Sequence, residues 1–437
     1  MFTERFRSHH DAEHSLEALL GKPGGQLRRL LKMKSWSAVE ARLKESPQGK
    51  REQKVLRGIY IHVPHCDRIC SFCNLNRTER KGADLDAYAG YIAGEIKTYG
   101  AYPYIREQPF NAVYFGGGTP TVLSTDQLSR ILDALHQHIP LAEDCEITLE
   151  STQHNLGAKK AAALADLGVN RFSIGIQTFS DRGRKILGRT YPGERALEDL
   201  RELRAAFKGV LGIDIIYSYP DQSIEEISRD AEICLSSGVD SVSFYSLMIH
   251  QGSALAKSID RGETQFVRDI EFDRARHHLF YKRLTESGFA LLELSKLVRP
   301  GRDAYRYIHI QYENGDLIPI GSGAGGRIAG FQIYSMAPGR RFVSPENEEY
   351  RRYYRMLGEL QFGLYDPAAL ARFLGSPGAE KAILEKIEEL SGQGFLVPGP
   401  QSSTWSLSPD GVFWGNNIAV EVLRAAITAK QGELANV

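Results

Sequence analysis

The chain has 437 residues, of which 42% are hydrophobic, and this length suits one barrel-sized domain and a smaller one. Lys and Arg together number 54, as do Asp and Glu, so no overall charge attracts nucleic acid or an anionic membrane. The first residues are charged and no stretch approaches about 20 apolar residues, which predicts an unexported, cytoplasmic protein without a membrane span.

Residues 1–56 are polar and helix-prone, and we interpret them as an N-terminal helical extension. Its basic stretch, 27–34, is interpreted as a solvated helix face rather than a binding arm. From residue 57 short apolar runs alternate with amphipathic stretches of three or four turns. The apolar runs are 58–63, 112–115, 146–150, 171–176, 212–217, 241–247 and 290–294, and the helical patterns are 85–99, 124–138, 158–167, 193–207 and 224–237.

This alternation predicts parallel βα units and therefore an α/β fold. We favour a partial (β/α)6 TIM-like barrel over residues 57–343, with an open doubly wound sheet as the rival, because polar and glycine-bearing segments follow the carboxyl ends of successive strands. Residues 344–437 predict a small C-terminal cap domain that is mainly helical and winged-helix-like. Its expected helices are 348–362, 367–373, 379–392 and one from 411, with a strand pair near 395–397 and 404–407.

Three of the five cysteines, Cys66, Cys70 and Cys73, follow the first predicted strand at C-x3-C-x2-C spacing. Three thiolates can bind three irons of a [4Fe–4S] cluster and leave the fourth iron open to a ligand. A structural zinc site uses four ligands in paired knuckles, and no second knuckle is present, although His62 and His65 could complete a zinc shell. The spacing favours the iron–sulfur cluster.

Glycines and polar side chains follow the next predicted strands. Gly117, Gly118 and Thr119 follow the second strand, where glycine lets the backbone approach a ligand closely, although a tight turn explains them equally well. Glu150 ends the third strand and can accept hydrogen bonds from a ribose or an ammonium group. Asp214 lies in an apolar strand, where a carboxylate costs free energy unless it is paired, and this favours a functional site. The glycine-rich segment 320–327 is interpreted as a flexible loop or an anion-binding nest.

The cysteine spacing, with Phe72 before the last cysteine, resembles the cluster motif of the radical S-adenosylmethionine (SAM) superfamily. The resemblance implies a cluster whose open iron binds SAM and cleaves it reductively to a 5′-deoxyadenosyl radical. Over residues 59–420 the order of the later motifs is similar to the subfamily of oxygen-independent coproporphyrinogen III oxidase, in which two SAM molecules bind. By that resemblance the first SAM contacts Tyr60, Gly117, Glu150 and Gly325, and the second contacts Phe72, Gly118, Thr119, Gln177, Arg189, Asp214 and Met248.

The chain departs from the oxidase where Asn74, Leu75 and Asn76 replace a further cysteine. Segments 299–305, 320–327 and 411–418 resemble the anaerobic haem-degrading methyltransferases, the anaerobilin synthases. This resemblance implies a radical SAM enzyme that methylates and opens a tetrapyrrole, haem, and releases its iron. We expect it to act as a monomer with a low-potential electron donor such as flavodoxin or ferredoxin. Three alternatives stay open: a class C methylase or cyclopropanase of another unsaturated substrate, the oxidase itself, and a haem chaperone.

Overall fold

The computed structural model describes residues 34–45 and 56–435. Most of the predicted N-terminal extension, including residues 27–33 of its basic stretch, lies outside these ranges. The described part of the extension forms helix α1 (Trp36–Lys44), which packs Val39 and Leu43 into the main core. Among the described helices, none is both long and apolar enough to span a bilayer.

The strands run in chain order as β1 (Arg57–Val63), β2 (His65–Cys66), β3 (Thr78–Glu79), β4 (Phe110–Gly117), β5 (Leu141–Ser151), β6 (Arg171–Gln177), β7 (Val210–Tyr217), β8 (Ser241–Ser246), β9 (Ala290–Glu293), β10 (Lys296–Val298), β11 (Asp316–Ile320), β12 (Gly325–Ile328), β13 (Phe331–Ala337), β14 (Arg340–Pro345), β15 (Leu364–Tyr365), β16 (Leu396–Pro398) and β17 (Trp405–Leu407).

The remaining helices are α2 (Leu85–Gly100), α3 (Pro103–Arg106), α4 (Thr125–His138), α5 (Ala158–Asp166), α6 (Asp181–Ile186), α7 (Gly193–Ala206), α8 (Ile224–Ser236), α9 (Ala254–Asp260), α10 (Ile270–Glu286), α11 (Arg306–Tyr312), α12 (Glu348–Gln361), α13 (Pro367–Leu374), α14 (Ala379–Gly392), α15 (Pro409–Phe413) and α16 (Gly415–Ala435). Local sequence explains several helix starts. Ser124 with Gln127, and Ser223 with Glu226, form capping boxes that satisfy the first amides of α4 and α8.

The central sheet of the described chain has the strand order β14-β13-β12-β11-β1-β4-β5-β6-β7-β8-β10-β9. The seven strands from β11 to β8 are parallel to their neighbours, and the outer strands pair antiparallel. Helices cover the outer face of the parallel strands, whose alternate residues, such as Ile59, Ile61 and Val63, are fully buried. The predicted α/β partial barrel is thereby confirmed.

The inner face of the barrel is polar and rich in glycine. Gly58, Gly116, Gly175 and Gly212 face inward, and a Cβ on any of them would lie about 3 Å from a neighbouring side chain. Polar side chains occupy the space beside Gly116, Gly175 and Gly212, whereas Ile310 and Leu317 lie beside Gly58. The interior is therefore polar except near Gly58, where a small apolar cluster lies.

Helix α11 closes the amino end of the barrel. The backbone N–H groups of Arg306 and Tyr307 donate to the Glu146 carboxylate at 3.0 and 3.4 Å, so a side chain of β5 caps this helix from inside the barrel. The Tyr307 ring then stacks on the ring of Tyr114, with centroids 4.2 Å apart. Tyrosine side chains thus form the floor of the cavity.

The C-terminal part has its own hydrophobic core, which includes Met356, Ile383, Leu396 and Val422. Helices α12 to α16 surround it, with the three-stranded sheet β15-β17-β16 at one side. The predicted mainly helical character is confirmed, while the boundaries at residues 56/57 and 343/344 stay predictions.

The sequence interpretation of segment 320–327 as a loop was incomplete. Its second half forms β12, which pairs with β13 and continues the sheet beyond β11. The run predicted at 290–294 forms β9, the antiparallel strand at the opposite edge. Both strands are short and belong to the antiparallel ends of the sheet, outside the alternation of strands and helices on which the sequence prediction relied.

Candidate functional site

The three cysteines lie on a loop that leaves the carboxyl end of β1 and returns through β3. Short strands β2 and β3 pair in parallel and close the base of this loop, with Thr78 N–H donating to Pro64 O at 2.7 Å and Arg80 N–H donating to Cys66 O at 2.8 Å. The Ser71 hydroxyl donates to Ile186 O at 2.6 Å. These bonds fix the cysteine loop over the ends of the barrel strands.

Cys66 is buried, and Cys70 and Cys73 are half-buried and free of disulfides. Burial raises the pKa of the Cys66 thiol, and the nearby Cys70 and Cys73 raise it further, so the three thiols interact with one another. The Thr119 hydroxyl lies 3.5 Å from Cys66 Sγ and lowers that pKa. In the described ranges no three His, Cys, Asp or Glu side chains converge tightly enough to hold one metal ion. Three thiols on one loop suit a cluster, in which each binds a different iron.

The glycine turn after β4 packs against this loop. Gly117 has φ +110°, and a Cβ there would lie 2.6 Å from the His62 ring, so only glycine fits. The N–H of Gly118 donates to Val63 O and that of Thr119 donates to His65 O, both at 2.8 Å. These hydrogen bonds hold the turn next to the cysteine loop, and the contacts of Gly117, Gly118 and Thr119 with SAM stay predictions.

A first polar group lies below this turn, on β1, β4 and β5. The Tyr114 hydroxyl donates to Glu150 Oε1 at 2.6 Å, and Tyr60 Oη lies 3.1 Å from His62 Nδ1. Because His62 Nε2 contacts the carbonyl of Asn76 at 2.8 Å, that nitrogen carries the proton and Nδ1 accepts from Tyr60. Burial raises the pKa of Glu150 to about 7, while the Tyr114 hydrogen bond opposes this shift. Tyr114 therefore orients the Glu150 carboxyl group, which changes its protonation near neutral pH.

A second polar group lies next to the first, at the neighbouring strands β6 and β7. Gln177 ends β6 with φ +75°, and Gln177 Nε2 and Arg189 Nη2 lie 2.8 and 3.0 Å from the position that a Cβ on Gly175 would take. Asp214 stands directly opposite Gly175 in the β6–β7 register. The structure therefore brings together Gln177, Arg189 and Asp214, which the family resemblance assigned to one SAM molecule.

Asp214 has partners that the sequence interpretation missed. Burial raises its pKa, and the charge of Lys296 and a hydrogen bond from Ser243 oppose the shift. Lys296 is 2% exposed, donates to Ser243 Oγ, and lies 4.7 Å from the ring centroid of Tyr305. Its strand, β10, has only three residues and offered no pattern that marked it, although a lysine directly before Leu297 and Val298 was a usable signal.

A buried ion pair supports the same floor. Arg171 donates twice to Asp303, at 3.0 Å for both bonds, and Asp303 also accepts from the hydroxyl of Ser241 at 2.6 Å. The guanidinium of Arg171 lies 4.3 Å from the ring centroid of Tyr305, which has φ +40°. Burial raises the pKa of Asp303, but the charge and hydrogen bonds of Arg171, with the charge of Lys296 and the Ser241 hydroxyl, together hold it at about 2.

Three predicted contacts lie at the edges of this arrangement. Phe72 packs against a small apolar cluster with Leu187 and Leu247, near the ends of β6 and β8. Met248 follows β8 and is exposed. Gly325 lies in β12 opposite Tyr334, whose hydroxyl accepts from Asn76 at the end of the cysteine loop. The roles of these three residues stay predictions.

Comparisons with known proteins agree with this geometry. The model of the radical SAM superfamily matches residues 60–231. Anaerobilin synthase of Escherichia coli O157:H7 is 32% identical over 63% of this chain and 62% of its own length, so the match spans less than two thirds of that relative. Heme chaperone HemW of Mycobacterium tuberculosis is 30% identical over 62% of this chain and 69% of its own length.

Among solved structures, coproporphyrinogen III oxidase (HemN) from Escherichia coli superposes with a TM-score of 0.72 at 18% identity, covering 90% of this chain and 95% of that one. The chain belongs to the radical SAM superfamily. Within it, the chain falls in the coproporphyrinogen III oxidase-like subfamily, together with anaerobilin synthase and HemW. The family uses a [4Fe–4S] cluster and SAM, and the cysteine loop and the two polar groups offer donors suited to both.

Proposed function

We propose that this protein is an anaerobic radical SAM C-methyltransferase that uses two SAM molecules to methylate and open haem, releasing its iron. One observation carries the proposal: two sets of polar side chains line neighbouring strands of the barrel. Tyr60 and Glu150 belong to the set on β1, β4 and β5, and Gln177, Arg189 and Asp214 form the set at β6 and β7. Cleavage of one SAM requires one such group, and a second group suits a second SAM that donates its methyl carbon.

The chain's own residues would bind and orient these molecules. Glu150 would accept hydrogen bonds from a ribose, with its orientation fixed by Tyr114, and Asp214 would do the same on β7 with Lys296 as its counter-charge. Arg189 would pair with an anionic group of the second SAM. When bound, the cluster and SAM supply the radical chemistry, and the protein contributes position and exclusion of water.

The haem substrate is supported by the likeness to anaerobilin synthase and by the residues after the cysteine loop. Asn74, Leu75 and Asn76 stand where the oxidase carries another cysteine, which argues against the oxidase reaction. Relatives that are heme chaperones make haem carriage without turnover the second candidate. A low-potential donor such as flavodoxin or ferredoxin would supply the electron.

The test is anaerobic incubation of the reduced, cluster-loaded protein with SAM and haem. We expect loss of the Soret band, a linear methylated tetrapyrrole, free iron, and deuterium in 5′-deoxyadenosine when methyl-deuterated SAM is used. The matched control is Cys70→Ala, which should leave haem intact.

Three other results would contradict the proposal, each in a different way. Haem that binds but stays intact would identify a chaperone. Decarboxylation of coproporphyrinogen III would identify an oxidase. Absence of haem affinity would indicate a class C methylase or cyclopropanase of another unsaturated substrate.

A further inference from the structure

A small cavity lies beside Cys70, between the cysteine loop and the ends of β5 and β6. Its volume is about 20 Å³, which is enough for one water-sized group. The cavity can therefore hold one end of a ligand. The lining is mostly polar, and its arginines outnumber its one acidic side chain, Asp67, which pairs with Arg80 and lies 3.5 Å from His154. The cavity is lined by Asp67, Arg68, Cys70, Thr119, Thr152, Gln153, His154, Asn155, Arg184, Gly188, Arg189, Thr190 and Tyr191.

The orientation of Gln153 in this cavity is fixed by Arg184. Arg184 is 2% exposed and donates through Nη2 to Gln153 Oε1 at 2.9 Å, while its other groups donate to the carbonyls of Ile176, Thr178 and Tyr191. A guanidinium only donates, so the oxygen of the Gln153 amide must face Arg184. The amide NH2 therefore faces away from Arg184.

Two donors at this cavity have no acceptor in the part of the chain that the structure describes. They are Gln153 Nε2, on a side chain that is 6% exposed, and Arg189 Nε. Buried donors without partners are costly and uncommon, and both of these donors belong to side chains that line a cavity, where an acceptor from outside the chain can reach them. An amide NH2 beside a guanidinium is a suitable pair of donors for a carboxylate.

We propose that Gln153, with Arg189, binds the carboxylate of a ligand that enters beside Cys70. This inference rests on the proposed function, in which two carboxylate-bearing molecules meet near the cluster. The carboxylate comes from the second SAM or from a propionate of the tetrapyrrole. Gln153 is a binding residue in either case, and Arg184 is its positioning residue.

The test compares Gln153→Glu with Gln153→Leu in the cluster-loaded protein. Glu keeps the acceptor for Arg184 but replaces the donor with a negative charge, whereas Leu removes both. We expect Gln153→Glu to unfold at nearly the wild-type temperature and yet to bind the carboxylate about ten- to 100-fold more weakly. Gln222→Leu is the matched control, because Gln222 is 2% exposed, has an unpartnered Nε2, and lies outside this cavity.

Equilibrium dialysis with labelled SAM, without haem, separates the two sources. A fall from two tightly bound SAM per chain to one in Gln153→Glu identifies the SAM carboxylate, and 5′-methylthioadenosine, which lacks a carboxylate, should bind equally to both proteins. If two SAM remain, a lower affinity for haem but not for haem dimethyl ester identifies the propionate.

Unchanged binding of SAM and haem in Gln153→Glu would overturn the inference and leave the cavity to a water. Loss of binding in Gln153→Leu alone, together with lower thermal stability, would show a purely structural role and overturn it as well. Because dialysis requires no turnover, a protein that binds two SAM but leaves haem intact would disprove the proposed function without affecting this result.

Discussion

Asp230 accepts a hydrogen bond from the backbone N–H of Phe179 at 2.8 Å, and its other oxygen accepts from the Thr178 hydroxyl at 2.7 Å. Asp230 is fully buried on α8, so this helix holds the chain directly after Gln177. A left-handed conformation is costly for a residue other than glycine, and Gln177 adopts one. The aspartate therefore stabilises the backbone that orients a proposed SAM contact.

Substituting Asp230→Ala should lower the free energy of unfolding by about 1–3 kcal/mol, because the Phe179 N–H would be buried without an acceptor. Binding of the second SAM should weaken with it, since Gln177 would relax from its left-handed conformation. Urea unfolding and SAM dialysis measure the two effects. Wild-type SAM stoichiometry in this variant would show that Gln177 does not depend on Asp230.

The pH dependence of stability should change in Asp230→Asn. Burial raises the pKa of Asp230 to about 7, so between about pH 4 and 7 the folded protein keeps a proton that the unfolded chain releases. The carboxyl group's contribution to stability is therefore full at low pH and is lost as the pH rises through 7. Asparagine does not titrate, so wild type should lose stability relative to Asp230→Asn across this window. If the free energies of unfolding of the two proteins differ by the same amount at every pH from 4 to 8, the pKa of Asp230 is not raised in the folded protein.

Cysteine substitutions should separate the cluster ligands from the other two thiols. Replacing Cys66, Cys70 or Cys73 by alanine should abolish the brown chromophore and SAM cleavage. Cys145→Ala and Cys234→Ala should leave both, because these side chains are buried in the hydrophobic core and burial raises the pKa of each thiol. Iron and sulfide analysis with the visible spectrum is the measurement. Equal loss in the second pair would mean that the ligands were wrongly assigned.

Removing the Asp214 carboxylate should uncouple the two SAM reactions. Asp214→Ala should reduce methyl transfer about ten- to 100-fold, as expected for a lost charge-assisted hydrogen bond, while 5′-deoxyadenosine still forms without product. In Lys296→Met the pKa of Asp214 should rise further, since the lysine charge lowers it. The pH midpoint of second-SAM binding should then move upward. Unchanged methyl transfer in Asp214→Ala would remove Asp214 from the site.

Breaking the buried pair of Arg171 and Asp303 should destabilise the barrel strongly. Both side chains are almost fully buried, so Asp303→Asn should cost about 3–5 kcal/mol by leaving a guanidinium without its counter-charge. The control is Asp199→Asn in the more exposed pair with Arg195, where the cost should stay below about 1 kcal/mol. Urea unfolding measures both effects. If the free energy of unfolding falls by similar amounts in the two variants, burial does not determine how much the Arg171 pair contributes to stability.

The parts of the fold that the sequence predicted are those with strong local patterns. Apolar runs alternating with amphipathic helices indicated the parallel strands, and the cysteine spacing indicated the cluster loop. The floor of the barrel could not be predicted, because Glu146 caps a helix that comes much later in the chain and Lys296 acts on Asp214 from another strand. Gln153 was missed for the same reason: only its contact with Arg184 shows where its amide faces.

The pairing of β11 with β1 also bears on biosynthesis. β1 is the first strand of the central sheet to be translated. Its second neighbour, β11, begins at Asp316, opposite Arg57, so this pairing can form only after nearly three quarters of the chain has emerged. Until then the unpaired backbone N–H and C=O groups of β1 can pair with strands of other chains, and this exposed edge adjoins the three cysteines. Ribosome-stalled or truncated products that end before Asp316 should therefore aggregate and form mixed disulfides in air, which makes anaerobic expression of the complete chain the sound route to active protein.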